Sequence, residues 1–161
     1  MSTHDLLLRY WDSCVFIAYL KEEYDRAEQC SSILARASEG KTTIITSAMT
    51  LSEVLWLEPQ TVKLEESKQK IRDLFEYSCI KTIDYTSRAS RELKWKYHDI
   101  GIKDAGHLST AIESKITLLE TYNLKLLEYD RKLKIFLDNK SGLLNPLFPH
   151  RKNFLFRNSH S

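Results

Sequence analysis

Three carboxylates stand where an α/β chain places its chemistry. Asp12 ends the short apolar and aromatic run Leu6 to Trp11, Glu53 sits between Leu51 and Val54 in an apolar stretch, and Asp104 opens a segment just after Gly101. Asn123 follows the run Leu118-Leu119-Glu120-Thr121 and is a fourth polar group of the same kind. Clustered carboxylates repel one another and cannot all ionise cheaply without a cation. The usual partner is a hard divalent metal such as Mg²⁺ or Mn²⁺, taken through a few oxygen ligands. Such an ion lowers the pKa of a bound water and neutralises charge developing on a phosphodiester. Each residue also has a plainer role. Asp12 suits a helix N-cap, Asp104 suits a first-turn acid beside the helix dipole, and Asp130 lies in a charged run that suits a solvated helix face. His107, in a small and apolar helix, suits a packed, hydrogen-bonded histidine.

The elements that would position these groups follow from local pattern. Leu6 to Trp11 reads as a buried strand, with Ser13 capping a helix Cys14 to Leu20. Lys21 to Ser38 continues in helical style, with Ala27, Cys30, Ile33, Leu34 and Ala37 at three- and four-residue steps and Gly40 as its left-handed stop. The β-branched run Thr42 to Thr46 is a second strand. Ser47 then starts a helix over Ala48 to Glu58 that Pro59 closes, and Val62 to Tyr77 is an amphipathic helix. Cys79 to Ile83 is a third strand, and Asp84 or Thr86 caps a helix from about Ser87 to His98. Lys103 to Lys115 is helical, Ile116 to Thr121 is a fourth strand, and Leu124 to Phe136 is a last amphipathic helix.

Strands alternating with helices predict a mainly parallel sheet of four to five strands with helices on both faces, a three-layer α/β/α domain. In such a sheet functional groups gather at the carboxyl ends of the strands. The boundary falls near residue 138. Residues 139–161 form a tail of different character, with Pro146, Pro149 and scattered apolar residues such as Leu147 and Phe148.

Composition is that of one soluble domain: 161 residues, 42% hydrophobic and 29% charged, with a formal net charge of +2. Four glycines and three prolines argue against a loop-rich β-sandwich. Cys14, Cys30 and Cys79 are too few and too far apart for a disulfide framework, so three reduced thiols are expected. No apolar run approaches the roughly 20 residues needed to span a bilayer, and the start lacks a signal-peptide pattern, so a cytoplasmic protein without membrane contact is expected. The glycines are isolated, so no phosphate-binding loop supports a nucleotide-dependent enzyme.

Four blocks resemble the PIN domain family. Tyr10 to Leu20, around Asp12-Ser13, is similar to its opening strand and helix, and Ile45 to Leu55 to its second motif, in which a Ser or Thr leads to a Glu. Lys103-Asp104-Ala105-Gly106-His107-Leu108-Ser109-Thr110-Ala111 resembles the third motif, and Leu118 to Asn123 the fourth. The blocks come in the family's order and span roughly Leu8 to Leu137; the tail lies outside the match.

The resemblance implies a PIN-like fold and a Mg²⁺- or Mn²⁺-dependent endoribonuclease, similar to small VapC-type toxins. It implies Asp12, Glu53 and Asp104 as metal ligands, Asn123 as a fourth catalytic residue, and Ser13 and Thr121 as supporting residues, with Ser13 orienting Asp12 or binding water. Asn123 stands where many members have Asp, which leaves a second metal open, with Asp130 a more distant substitute. An RNA substrate, a protein antitoxin and a homodimer are implied as partners. The alternatives are a PIN-fold binding module without turnover and a housekeeping RNA-processing nuclease.

Overall fold

A computed structural model describes residues 6–55, 64–96, 100–116 and 118–126. Asp130, most of the final helix and the tail lie outside the described residues. Four strands, β1 (Leu7–Trp11), β2 (Thr42–Ser47), β3 (Ile80–Ile83) and β4 (Leu119–Glu120), form a parallel sheet in the order β3-β2-β1-β4. Tyr10 of β1 registers with Ile45 of β2 on one side and Leu119 of β4 on the other. β4 is shorter than the run Ile116 to Thr121 from which a strand is expected; Ile116 instead accompanies the end of the preceding helix.

The helices are α1 (Ser13–Leu20), α2 (Arg26–Ser38), α3 (Ala48–Leu55), α4 (Leu64–Glu76), α5 (Ser87–Lys96) and α6 (Ile102–Glu113). Strand residues alternate between two cores. Trp11, Ile44 and Ile80 face one core with Val15, Phe16, Leu34, Val54 and Leu74 from α1 to α4. Tyr10 and Ile45 face the other with Leu108 and Ala111 of α6. The fold is the expected three-layer α/β/α arrangement. Among the described residues, no helix is long and apolar enough to cross a membrane.

Of the two capping residues open from sequence the structure takes one, and it breaks one expected helix. Asp12, not Ser13, is the N-cap of α1: its Oδ1 accepts the N–H groups of Cys14 and Val15 at 3.0 and 3.4 Å. The helical style of Lys21 to Ser38 is also broken, because α1 stops at Leu20 and α2 starts at Arg26. The stop is a Schellman motif with Glu22 in the left-handed region at φ 54. The Glu23 N–H reaches Ala18 O, and the Glu22 N–H reaches Tyr19 O. The turn folds α2 back against α1. Two further motifs of the same kind end α2 at Gly40 (φ 73) and α6 at Lys115 (φ 56). Thr86 caps α5, accepting the Ala89 N–H at 3.0 Å.

Candidate active site

The strand order fixes where a cleft opens. The chain runs outward from β1 through β2 to β3, then returns to place β4 on the other side of β1. The carboxyl ends of β1 and β4 therefore flank the point where the connections diverge, the usual place for a binding crevice. Asp12 follows β1 directly and Thr121 follows β4 directly. The Thr121 hydroxyl donates to Asp12 Oδ2 across that point, while the Asp12 N–H reaches Glu120 O at 3.4 Å.

Asp12 is buried, 3% exposed. The Cys14 thiol donates to its Oδ1 at 2.7 Å, besides the two capping N–H groups. Burial pushes the Asp12 carboxyl above its ordinary pKa, opposed by the nearby His107 ring and by the hydrogen bonds from Cys14, Thr121 and Val15. Cys14 also accepts the Tyr122 N–H at 3.0 Å. Burial, and next the charge of Asp12, raise the pKa of this thiol, so it stays protonated. All three cysteines are free.

Glu53 comes from the middle of α3, whose start is fixed by Ser47 Oγ accepting the Met49 N–H at 3.2 Å. Its side chain is 12% exposed. His107 Nε2 lies 2.9 Å from Oε2, and Lys103 Nζ lies 3.4 Å from Oε1. Burial alone would raise the Glu53 pKa. Hydrogen bonds from His107 and Ser13, together with nearby positive charge, outweigh it and hold the pKa at about 2. The Ser13 hydroxyl thus lies on the Glu53 side of the site. His107 is buried, and its other nitrogen lies 2.9 Å from the Tyr10 hydroxyl. The histidine is packed and hydrogen-bonded, as its apolar helix suggests, and its partner is a candidate site carboxylate.

Asp104 occupies the first turn of α6, with Oδ2 turned toward Gly101 at the N-cap. That is the first-turn placement that favours an acid beside the helix dipole. Asn123 Oδ1 accepts the Lys125 N–H at 3.0 Å, so its oxygen caps the turn that begins at Leu124. Asp12 and Glu53 both lie near the His107 ring. Among the described residues, no three His, Cys, Asp or Glu side chains are gathered closely enough to hold an ion. The donor chemistry still fits a hard divalent cation: oxygen donors only, with Glu53 ionised. Tyr10, Cys14 and Lys103 were not singled out from sequence. The signal for Tyr10 was strand alternation, which points it away from Trp11 and toward the opposite helix layer.

Two open grooves of about 390 and 370 Å³ lie away from these residues, against α1 and α2, the first bounded also by α4 and the second by the turn from Tyr77 to Cys79. Tyr19, Ser31 and Tyr77 line both.

Residues 9–132 match the family described as PIN domain. The chain belongs to the PIN domain family. The match spans all four acidic or polar blocks, from Asp12 to Asn123. Among solved structures, this PIN domain is similar to a chain of VapBC2 from Rickettsia felis, crystallised bound to a DNA fragment from their promoter. The TM-score is 0.61 at 20% identity, over 77% of this chain and 92% of that one. That likeness is one of fold. No curated protein sequence matches the chain.

Proposed function

We propose that the protein is a metal-dependent endoribonuclease that hydrolyses RNA phosphodiesters and acts as the toxin of a type II toxin–antitoxin pair. The observation that carries this reading is an ionised Glu53 and a buried Asp12 on either side of the His107 ring, in a chain of the PIN family. Asp12, Glu53 and Asp104 would hold Mg²⁺ or Mn²⁺. When bound, the ion supplies an activated water and neutralises charge on the phosphorus. The chain's own groups do the rest. Cys14 and Thr121 hold the two Asp12 oxygens. Ser13 and His107 hold Glu53 in its ionised form. The Lys103 ammonium, largely exposed, brings positive charge to the rim, where an RNA phosphate would approach. The similarity to a VapBC2 chain supports a protein antitoxin as partner; a cytoplasmic homodimer is part of the same proposal.

One observation favours a second reading, a PIN-fold binding module without turnover. Asn123 Oδ1 is engaged with Lys125, so the fourth acidic position of many family members is here a structural cap. A single assay separates the two. Purified protein is incubated with structured RNA and Mg²⁺ or Mn²⁺, with EDTA, and as Glu53→Gln and Asp104→Asn variants. The nuclease reading expects metal-dependent cleavage that both substitutions abolish. Absence of cleavage with either metal, from protein free of bound antitoxin, moves the assignment to the binding module.

A further inference from the structure

Tyr10, His107 and Glu53 form a line of three side chains from the buried sheet to the rim of the site. Tyr10 is 0% exposed and His107 is 1% exposed, while the Glu53 side chain is 12% exposed. The Tyr10 hydroxyl lies 2.9 Å from His107 Nδ1, and His107 Nε2 lies 2.9 Å from Glu53 Oε2. The Tyr10 and His107 rings meet edge to face at 5.9 Å. A neutral imidazole has one N–H donor and one acceptor, and the neighbour of one nitrogen fixes the role of the other. A carboxylate only accepts. If Nε2 carried the lone pair, it would face the Glu53 oxygen as acceptor against acceptor at 2.9 Å. If Nε2 carries the proton, Nδ1 accepts, and the Tyr10 hydroxyl is placed to donate to it.

The ring's own position is set by close packing. A Cβ on Gly106, the residue before His107, would fall 2.8 Å from Met49 Sδ and 3.3 Å from Tyr85 Cε2. Glycine there lets α6 approach the start of α3, the helix that carries Glu53. A histidine serving only as core would have no need of a partly exposed carboxylate as one of its two partners.

On the nuclease reading above, we propose that Tyr10 and His107 are positioning residues for Glu53: Nε2–H of His107 holds the Glu53 carboxylate in the orientation that binds metal, and Tyr10 braces the ring from Nδ1. Outer groups that orient a ligating side chain typically contribute 10–100-fold to metal affinity. Neither residue touches substrate.

The test combines metal binding with ring spectroscopy on the full-length protein. Mn²⁺ binding is titrated for wild type and for the Tyr10→Phe, His107→Gln and His107→Leu variants, each checked for a cooperative thermal transition. His107→Leu should bind Mn²⁺ about 10–100-fold more weakly. His107→Gln keeps an N–H donor toward Glu53 and should recover most of the loss, a rescue that mere space-filling would not produce. Tyr10→Phe should weaken binding less. Nitrogen-15 spectra of the wild-type ring should show a proton on Nε2. A bare Nε2 in wild type overturns the proposal, as does Mn²⁺ binding by His107→Leu and Tyr10→Phe equal to wild type. If His107→Leu fails to fold, His107→Gln and Tyr10→Phe carry the same comparison. If wild type binds Mn²⁺ with Nε2 protonated yet cuts no RNA, the nuclease reading falls and the clamp stands. If it binds no Mn²⁺, the nuclease reading falls and the clamp falls with its role in metal binding.

Discussion

Asp12 serves two ends at once, and its two oxygens divide the work. Oδ1 caps α1 and Oδ2 ties the end of β4. Asparagine in its place keeps the capping oxygen and removes a charge that burial disfavours. Asp12→Asn should therefore melt no lower than wild type while losing cleavage. Asp12→Ala loses the cap and should cost about 1–2 kcal/mol in denaturant unfolding. Glu53 is the opposite electrostatic case. Its folded pKa of about 2 lies below the ordinary value of 4.5, so its stabilisation is fully present above about pH 4.5 and is lost as pH falls toward 2. In EDTA, the stability advantage of wild type over Glu53→Gln should shrink steadily across that window; an advantage that does not change between pH 5 and pH 2.5 contradicts the assignment. Both carboxylates were legible in the sequence, because each follows or flanks an unmistakable apolar run. The Tyr10–His107 contact was not. It joins residues 97 apart and depends on which face of a strand meets which turn of a helix.

At the scale of elements, the alternation of strands and helices could be read directly, and three of the four strands fall within a residue or two of their expected bounds. The break between α1 and α2 could not. Three helices end in the same left-handed motif, at Glu22, Gly40 and Lys115, and only the glycine advertises it. A glutamate or lysine in that conformation carries a local cost that tertiary packing must offset, so no local pattern reveals it. Gly106 shows the converse: an unremarkable glycine in a helical run is where two helices touch. Alanine there gains helix propensity of about 1 kcal/mol and asks Met49, a flexible side chain, to move. Gly106→Ala should stay within about 1 kcal/mol of wild type. Gly106→Val cannot be absorbed in this way, and overpacking should lower stability by about 1–3 kcal/mol while weakening cleavage. Urea unfolding of the two variants side by side checks the difference.

At the scale of the whole molecule, the sheet is closed by a buried ion pair. Arg9 Nη1 meets Glu120 Oε1 at 2.7 Å with both side chains under 5% exposed, and the Trp11 indole N–H donates to Oε2. Arg9 Nε also donates to Thr42 Oγ1 at 3.2 Å, so one guanidinium spans β1, β2 and β4. Removing one partner strands the other charge, and Arg9→Met alone should cost about 3–5 kcal/mol. The double change Arg9→Met with Glu120→Leu should recover much of that loss. Equal losses in the single and double variants, read from chemical denaturation, would show that the pair does not act as a unit. Its placement bears on synthesis. Docking β4 brings together residues 111 positions apart, and the same docking brings Thr121 to Asp12. A chain emerging from the ribosome has β1, β2 and β3 well before Glu120 is made, and until then β1 keeps an open edge. The hydroxyl that holds Asp12 is thus made 109 residues after it, so the setting of this carboxylate is complete only once β4 has docked.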